Sequence, residues 1–209
     1  GKYYTKEEIE SLKLDAGKYT LVATYDHEDY VLSAVTVNFE VYKANPTISV
    51  ADVEVGYNDS IIVNIETNVP STYTIEIGDY KTVKFINGSR SVEIENTFEP
   101  GTYTIKVTSQ ERVNYISNST EATLKVNKNL PLFALSVSNE AADSDDAVIK
   151  VSSPVNAEGN MKYTVSDSNK NVVYTLTQSC RDDLVISGLD DGTYEIAAVL
   201  EGDNRYYST

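Results

Sequence analysis

The sequence has no tryptophan, one cysteine, one histidine and one methionine in 209 residues. With only Cys180, no intrachain disulfide can staple the fold, and the residue reads as a small buried apolar side chain. His27 alone cannot build a His-pair metal site, and no cysteine pair stands ready for zinc. No glycine-rich phosphate loop and no Gly-x-Ser-x-Gly run is present, and no carboxylate pair sits in a recognisable acid–base frame. The expectation is a chain that is not an enzyme and has no cofactor and no metal. Basic residues are also few, 17 against 32 acidic, for a net charge of −15. The deficit runs throughout: five basic against eight acidic over residues 1–43, seven against eleven over 44–128, and five against thirteen over 129–209. No segment offers the positive field that polyanions or anionic lipids need, so no nucleic acid and no membrane contact is expected. No apolar run nears the ~18 residues of a membrane span. The segment also lacks a secretion signal and reads as a piece of something longer.

What is present is a repeat. Leu14-Asp15-Ala16-Gly17-Lys18-Tyr19-Thr20-Leu21 returns as Phe98-Glu99-Pro100-Gly101-Thr102-Tyr103-Thr104-Ile105 and again as Leu189-Asp190-Asp191-Gly192-Thr193-Tyr194-Glu195-Ile196. Tyr30 recurs as Tyr115 and Tyr206, and Phe39–Lys43 matches Leu124–Lys128. Lys43-Ala44-Asn45-Pro46 matches Lys128-Asn129-Leu130-Pro131 at an offset of 85. Repeats of this period mean stacked supersecondary units or tandem domains.

Inside each repeat the apolar residues alternate with period two. Tyr103, Ile105 and Val107 alternate with Thr102, Thr104 and Lys106, and Val35, Val37, Phe39 and Val41 with Thr36, Asn38 and Glu40. Such alternation describes antiparallel strands with one buried face. Turn signals at Asn87-Gly88-Ser89, Pro100-Gly101 and Asp191-Gly192 separate them. The middle repeat predicts strands near 47–54, 60–67, 71–77, 81–86, 90–95, 102–109 and 119–127, and Ile9 and Leu12 predict one helical turn. Seven short strands in about 85 residues is the count of an immunoglobulin-like sandwich. The Gly-x-Tyr element fits a tyrosine corner, in which the tyrosine hydroxyl bonds the backbone a few residues upstream. Gly17/Tyr19, Gly101/Tyr103 and Gly192/Tyr194 are read as that structural element, each glycine as a turn residue with positive φ. The fold class expected is all-β: tandem immunoglobulin-like Greek-key β-sandwiches in a rod. Residues 1–43 would be a partial repeat holding its last two strands, 44–128 a complete one, and 129–209 one lacking its closing strand.

At these residues the chain resembles the bacterial-type Ig-like tandem repeats of adhesin-like cell-surface proteins of methanogenic archaea and some Gram-positive bacteria. Residues 98–128 carry the run through Gly101-Thr102-Tyr103-Thr104, Asn114-Tyr115 and Val126-Asn127-Lys128, and residues 189–207 through Gly192-Thr193-Tyr194, Gly202-Asp203-Asn204 and Tyr206. Residues 14–43 carry Gly-Lys-Tyr in place of Gly-Thr-Tyr. The resemblance implies an extracellular, archaeal-type cell-surface stalk with a cell-adhesion role, and a glycan-binding module is the alternative. Partners implied are a surface protein or glycan of another cell and the neighbouring repeats of the same array. Open strand edges add self-association to that set.

Several residues remain to be weighed. His27, in Asp26-His27-Glu28-Asp29, reads as a solvated loop histidine, since the matching loops Gln110–Asn114 and Glu201–Arg205 lack one. Asp143-Ser144-Asp145-Asp146 could offer oxygens to calcium but lacks an EF-hand's glycine and closing glutamate. A Lys–Asn isopeptide crosslink cannot be placed from sequence. Asn58-Asp59-Ser60, Asn87-Gly88-Ser89 and Asn118-Ser119-Thr120 are candidate glycosylation acceptors. Of sixteen tyrosines, the recurring Tyr19/103/194 and Tyr30/115/206 read as structural. Tyr3, Tyr4, Tyr42, Tyr57, Tyr80 and Tyr207 read as contact candidates.

Overall fold

In the computed structural model, residues 3–31, 33–138, 146–153 and 156–209 are described, and they form one short helix and eighteen strands. The helix α1 (Lys6–Ser11) is held by a capping box in which Thr5 and Glu8 exchange side-chain and backbone hydrogen bonds, and all of it is exposed. Everything else is strand and turn. The chain divides into two compact units: Gly1–Asp52 with Ile62–Val92 and Tyr103–Thr123, and Val53–Ile61 with Glu93–Thr102 and Leu124–Thr209.

Residues 48–127 carry eight strands: β5 (Ile48–Val50), β6 (Val53–Gly56), β7 (Ile61–Thr67), β8 (Ser71–Ile77), β9 (Tyr80–Ile86), β10 (Ser89–Ile94), β11 (Gly101–Ser109) and β12 (Ser119–Asn127). One sheet runs β10-β7-β5 and the other β6-β12-β11-β8-β9. Strands that pair in this order, with β6 parallel to β12 and the pairs β5–β7, β8–β9 and β8–β11 antiparallel, trace an immunoglobulin-like Greek key. The single strand expected over 47–54 is two strands in different sheets. The break falls at Ala51-Asp52, where the Asp52 carboxylate accepts the Thr123 N–H at 2.7 Å and ends the pairing with β7.

In the first unit the period-two pattern points Val63, Ile65, Tyr73, Ile75, Ile77, Ile105 and Val107 inward, all fully buried. Burying each aliphatic side chain contributes about 1.5–3 kcal/mol, the main favourable term for a chain with no disulfide. The same unit holds a two-stranded sheet of β1 (Gly17–Ala23) and β4 (Val35–Val41), in register Tyr19↔Phe39 and Leu21↔Val37, with the small β2 (Asp26–His27) and β3 (Tyr30–Val31) pair at its tip.

The second unit contains two three-stranded sheets. One is β13 (Ala134–Ser138), β14 (Asp146–Ser152) and β17 (Leu184–Ser187); the other places β15 (Asn160–Ser166) between β16 (Val172–Ser179) and β18 (Glu195–Leu200). Their shared core includes Ile149, Met161, Tyr163, Val165, Leu184 and Leu200, with Cys180 buried among them. The Cys180 thiol lies 3.6 Å from the Ala157 carbonyl oxygen. Residues 143–145 of the acidic run weighed for calcium lie outside the described residues.

Candidate functional site: a contact built twice

The three Gly-x-Tyr elements begin β1, β11 and the approach to β18. The Tyr19 hydroxyl donates to the Asp15 carbonyl at 2.7 Å, and the Tyr194 hydroxyl to the Asp190 carbonyl at 2.8 Å, four residues upstream in each case. Tyr103 is half-buried at the start of β11. The glycines need a correction. Gly101 and Gly192 do not take positive φ, and Gly17, at φ 159°, is close to extended backbone. The chain enters each strand already extended, and the Tyr194 ring lies 3.6–3.7 Å from where a Gly192 Cβ would sit. The left-handed turn residue at the third corner is Gly188, at φ 75°.

Each unit contains one contact in which such a corner, the linker that follows the next strand and a later loop tip come together. In the first unit the Asn114 carboxamide caps the corner, accepting the Ala16 N–H at 2.7 Å and donating to the Asp15 carboxylate at 2.8 Å. Linker residue Ala44 donates its N–H to the Asn114 carbonyl at 2.8 Å and accepts the Ile116 N–H at 3.1 Å, forming a parallel bridge to Tyr115. Lys43 pairs with Glu111, Pro46 is buried, and the Asn118 carboxamide donates to the Pro46 carbonyl at 2.9 Å.

The second unit repeats the plan with charged parts. Arg205 takes the place of Asn114, its Nε donating to both oxygens of Glu99 at 2.8 and 3.0 Å with Nη2 adding a third bond. Linker residue Asn129 donates to the Arg205 carbonyl at 2.9 Å and accepts the Tyr207 N–H at 2.9 Å, bridging Tyr206 in parallel. Lys128 donates its ammonium to the Asp203 carbonyl at 2.6 Å. Two aromatic rings strengthen this copy. Tyr57 and Tyr206 meet edge to face at 5.8 Å, and the Arg205 guanidinium lies over the Tyr57 ring at 5.5 Å. The Asn129 carboxamide reaches the Tyr57 carbonyl at 3.0 Å. Gly56 makes room for it, since a Cβ there would stand 3.1 Å from Asn129 Nδ2 and 2.5 Å from an Asp59 oxygen.

Charge follows geometry. The Arg205 guanidinium holds the Glu99 carboxyl below its ordinary range against the opposing effect of burial, and Glu99 raises Arg205 in turn. Asp203 organises the tip by accepting the Glu158 N–H at 2.9 Å and the Arg205 and Tyr206 N–H groups at 2.7 Å each. Burial pushes the Asp203 carboxyl up, but those three backbone donors outweigh it and hold it below the usual range.

The structure also redistributes the tyrosines. Tyr57, expected as a contact residue, is 7% exposed because it packs under this tip, whereas Tyr3 and Tyr42 are open to solvent. Tyr30, expected as structural, is 63% exposed, since no linker covers it as Ala44 bridges Tyr115 and Asn129 bridges Tyr206. Tyr25, His27 and Tyr30 form an exposed ring cluster, Tyr25 and His27 stacked at 5.9 Å and His27 and Tyr30 at 5.4 Å. Of the sequons, Asn118 uses its amide on Pro46 and Asn58 hydrogen-bonds Tyr206, while Asn87 is exposed in the turn between β9 and β10. The pairings of Asp15 with Asn114 and of Glu99 with Arg205 were not foreseen. The signal was there, because residues 15, 99 and 190 match one another, as do 29, 114 and 205. Among the described residues no group of three His, Cys, Asp or Glu side chains could hold a metal, and no helix is long and apolar enough to cross a membrane.

No protein-family model and no curated protein matches the chain. Solved structures that it is similar to include the chicken CNTN1 FN1–FN3 domains (11% identity, 90% of this chain and 70% of that one, TM-score 0.29) and fibronectin(III)-like modules of CbhA from Clostridium thermocellum (13%, 78% and 89%, 0.30). A chimeric titin Z1Z2 tandem is a third (11%, 73% and 96%, 0.32). At these TM-scores the likenesses carry no argument, and the fold rests on the strand order above.

Proposed function

We propose that this chain is a non-catalytic stalk segment of a repeat-built extracellular surface protein with an adhesive role. The observation that carries the reading is the twice-built contact: a linker of four residues hydrogen-bonded on both sides to the next loop tip, with an acidic corner clasping the same tip. A linker so held cannot swivel as a free Gly/Ser tether does, and a stalk needs that. Repeat boundaries near residues 44 and 129 belong to this proposal, as do tyrosine corners at all three Gly-x-Tyr elements. So do a partner on another cell, self-association through the outer edges of β4 and β18, and glycan attachment at Asn87, the sequon exposed in the turn between β9 and β10. Antibodies raised to the folded chain should label intact cells of the source organism, and external protease should erase the label. Labelling only after lysis would refute the surface assignment.

A second reading, a glycan-binding module, is favoured by one observation: among the described residues the exposed Tyr25–His27–Tyr30 cluster occurs at one loop tip only. Titration with neutral oligosaccharides, followed by tyrosine fluorescence, would show saturable quenching that Tyr25→Ala removes. No response across β-glucan, chitin and mannan oligomers would discard it.

A further inference from the structure

We propose that the third corner, Asp190–Gly192, is an open docking surface for another Ig-like repeat, one that presents a carboxamide or guanidinium at the loop-tip position held by Asn114 and Arg205. The inference rests on the repeat reading and adds to it the chemistry of the neighbour. Two occupied examples of the surface are visible in the same chain. Asp15 is taken by the Asn114 carboxamide and Glu99 by the Arg205 guanidinium. The third copy has the same local build: the Tyr194 hydroxyl bonds the Asp190 carbonyl at 2.8 Å, as Tyr19 bonds Asp15 at 2.7 Å. Its carboxylate at Asp190 is exposed and meets no cation or amide among the described residues.

Charge decides which neighbour fits. The tip position of the N-terminal hairpin is Asp29, so a second copy of this chain, docking tip to corner, would set carboxylate against carboxylate. Both known pairs instead set a hydrogen-bond donor on the acidic corner. The neighbour at Asp190 therefore carries Asn, Gln or Arg at its tip. By the same rule, a repeat docking on the Asp29 tip carries a donor at its corner instead of an acid.

Two experiments test this. In the first, the full chain is extended after Thr209 by a second copy of residues 119–209, which places a further strand, linker and tip in the order that follows Asn118, since Thr209 holds the position of Asn118 in the Leu200 and Ser109 pairings. NMR of the arginine Nε–H groups should show the added Arg205 paired. Asp190→Ala should speed its exchange about two- to fivefold, the range for an exposed pair, and Glu99→Ala should do the same for the original Arg205. In the second, Phe98-Glu99-Pro100 is replaced by Leu-Asp-Asp, grafting the third corner onto the second within the 209-residue chain. The Arg205 signal should stay protected. A graft that behaves like Glu99→Ala overturns the proposal even if the extended chain does not fold. An inert Glu99→Ala would instead strike at the repeat-contact reading itself. Sedimentation supplies the last arm: dimers of the unmodified chain that Asp190→Asn abolishes would overturn the choice of neighbour.

Discussion

The hairpins β1–β4 and β11–β12 are written in nearly the same alternation, yet they end in different surroundings. Leu21, Val37 and Phe39 stand 42%, 52% and 41% exposed, whereas Ile105 and Leu124, at the matching places of Leu21 and Phe39, are fully buried. Period-two patterning selects the face that can be buried; the strands packed over that face decide whether it is. The largest test of this contrast is a pair of truncations. Ile105→Ala should cost about 2–5 kcal/mol in denaturant unfolding, the usual range for a buried large-to-small change. Leu21→Ala should stay within about 0.5 kcal/mol, as exposed substitutions do. Equal losses would mean the hairpin face is covered in solution.

A second contrast lies inside the sheets. Tyr73 on β8 and Tyr163 on β15 share the Tyr-Thr-apolar pattern and both are fully buried. The Tyr73 hydroxyl has Thr67 and the Val69 carbonyl, the latter at 2.8 Å, whereas the Tyr163 hydroxyl has no partner among the described residues. The carbonyl four residues upstream of Tyr163, that of Gly159, instead accepts the Cys180 N–H at 3.1 Å. Tyr73→Phe should therefore destabilise by about 1–3 kcal/mol, and Tyr163→Phe should be neutral or stabilising. Amide exchange resolved at β8 and β15 would read the two separately.

The two linker contacts supply the smaller effects. Arg205→Ala removes an ion pair and a ring contact and should lower local stability slightly, and Asn114→Ala less, read as faster amide exchange at each contact. High salt should weaken the Arg205–Glu99 and Lys43–Glu111 pairs more than the Asn114–Asp15 hydrogen bond, which has only one charged partner. Acid should act on the Arg205 contact as well. The Glu99 carboxyl titrates below its ordinary 4.5 in the folded chain, so its contribution is whole above that pH and is lost as pH falls through the depressed value. The protection of the Arg205 Nε–H relative to free arginine, measured from pH 6 to 3, should fall across that window in the native chain and stay level in Glu99→Gln.

Much of this molecule is written in its sequence, and the exceptions are instructive. The strands of residues 60–127 were legible because half-buried antiparallel strands force alternation and turns force Gly and Asn. The split of 47–54 was not, because β5 and β6 are both extended and apolar, and only the Asp52 hydrogen bond to Thr123 shows that the chain changes sheets there. Tyr57 was misread for a related reason: its burial comes from Tyr206, far along the chain. The corner pairs were hidden in plain view, since Asn114 and Arg205 differ in type and align only when the loops are matched by position instead of by identity.

One consequence concerns proteases. A linker between domains is ordinarily where a chain is nicked, because a peptidase must draw several residues into its cleft as a free strand. Here the middle of each linker is already occupied as a strand, Ala44 and Asn129 both donating and accepting, with a buried proline two residues on. The scissile bonds a peptidase would seek are taken before it arrives, so in a protease-rich setting the segments around Ala44 and Asn129 should outlast the exposed turns elsewhere in the chain.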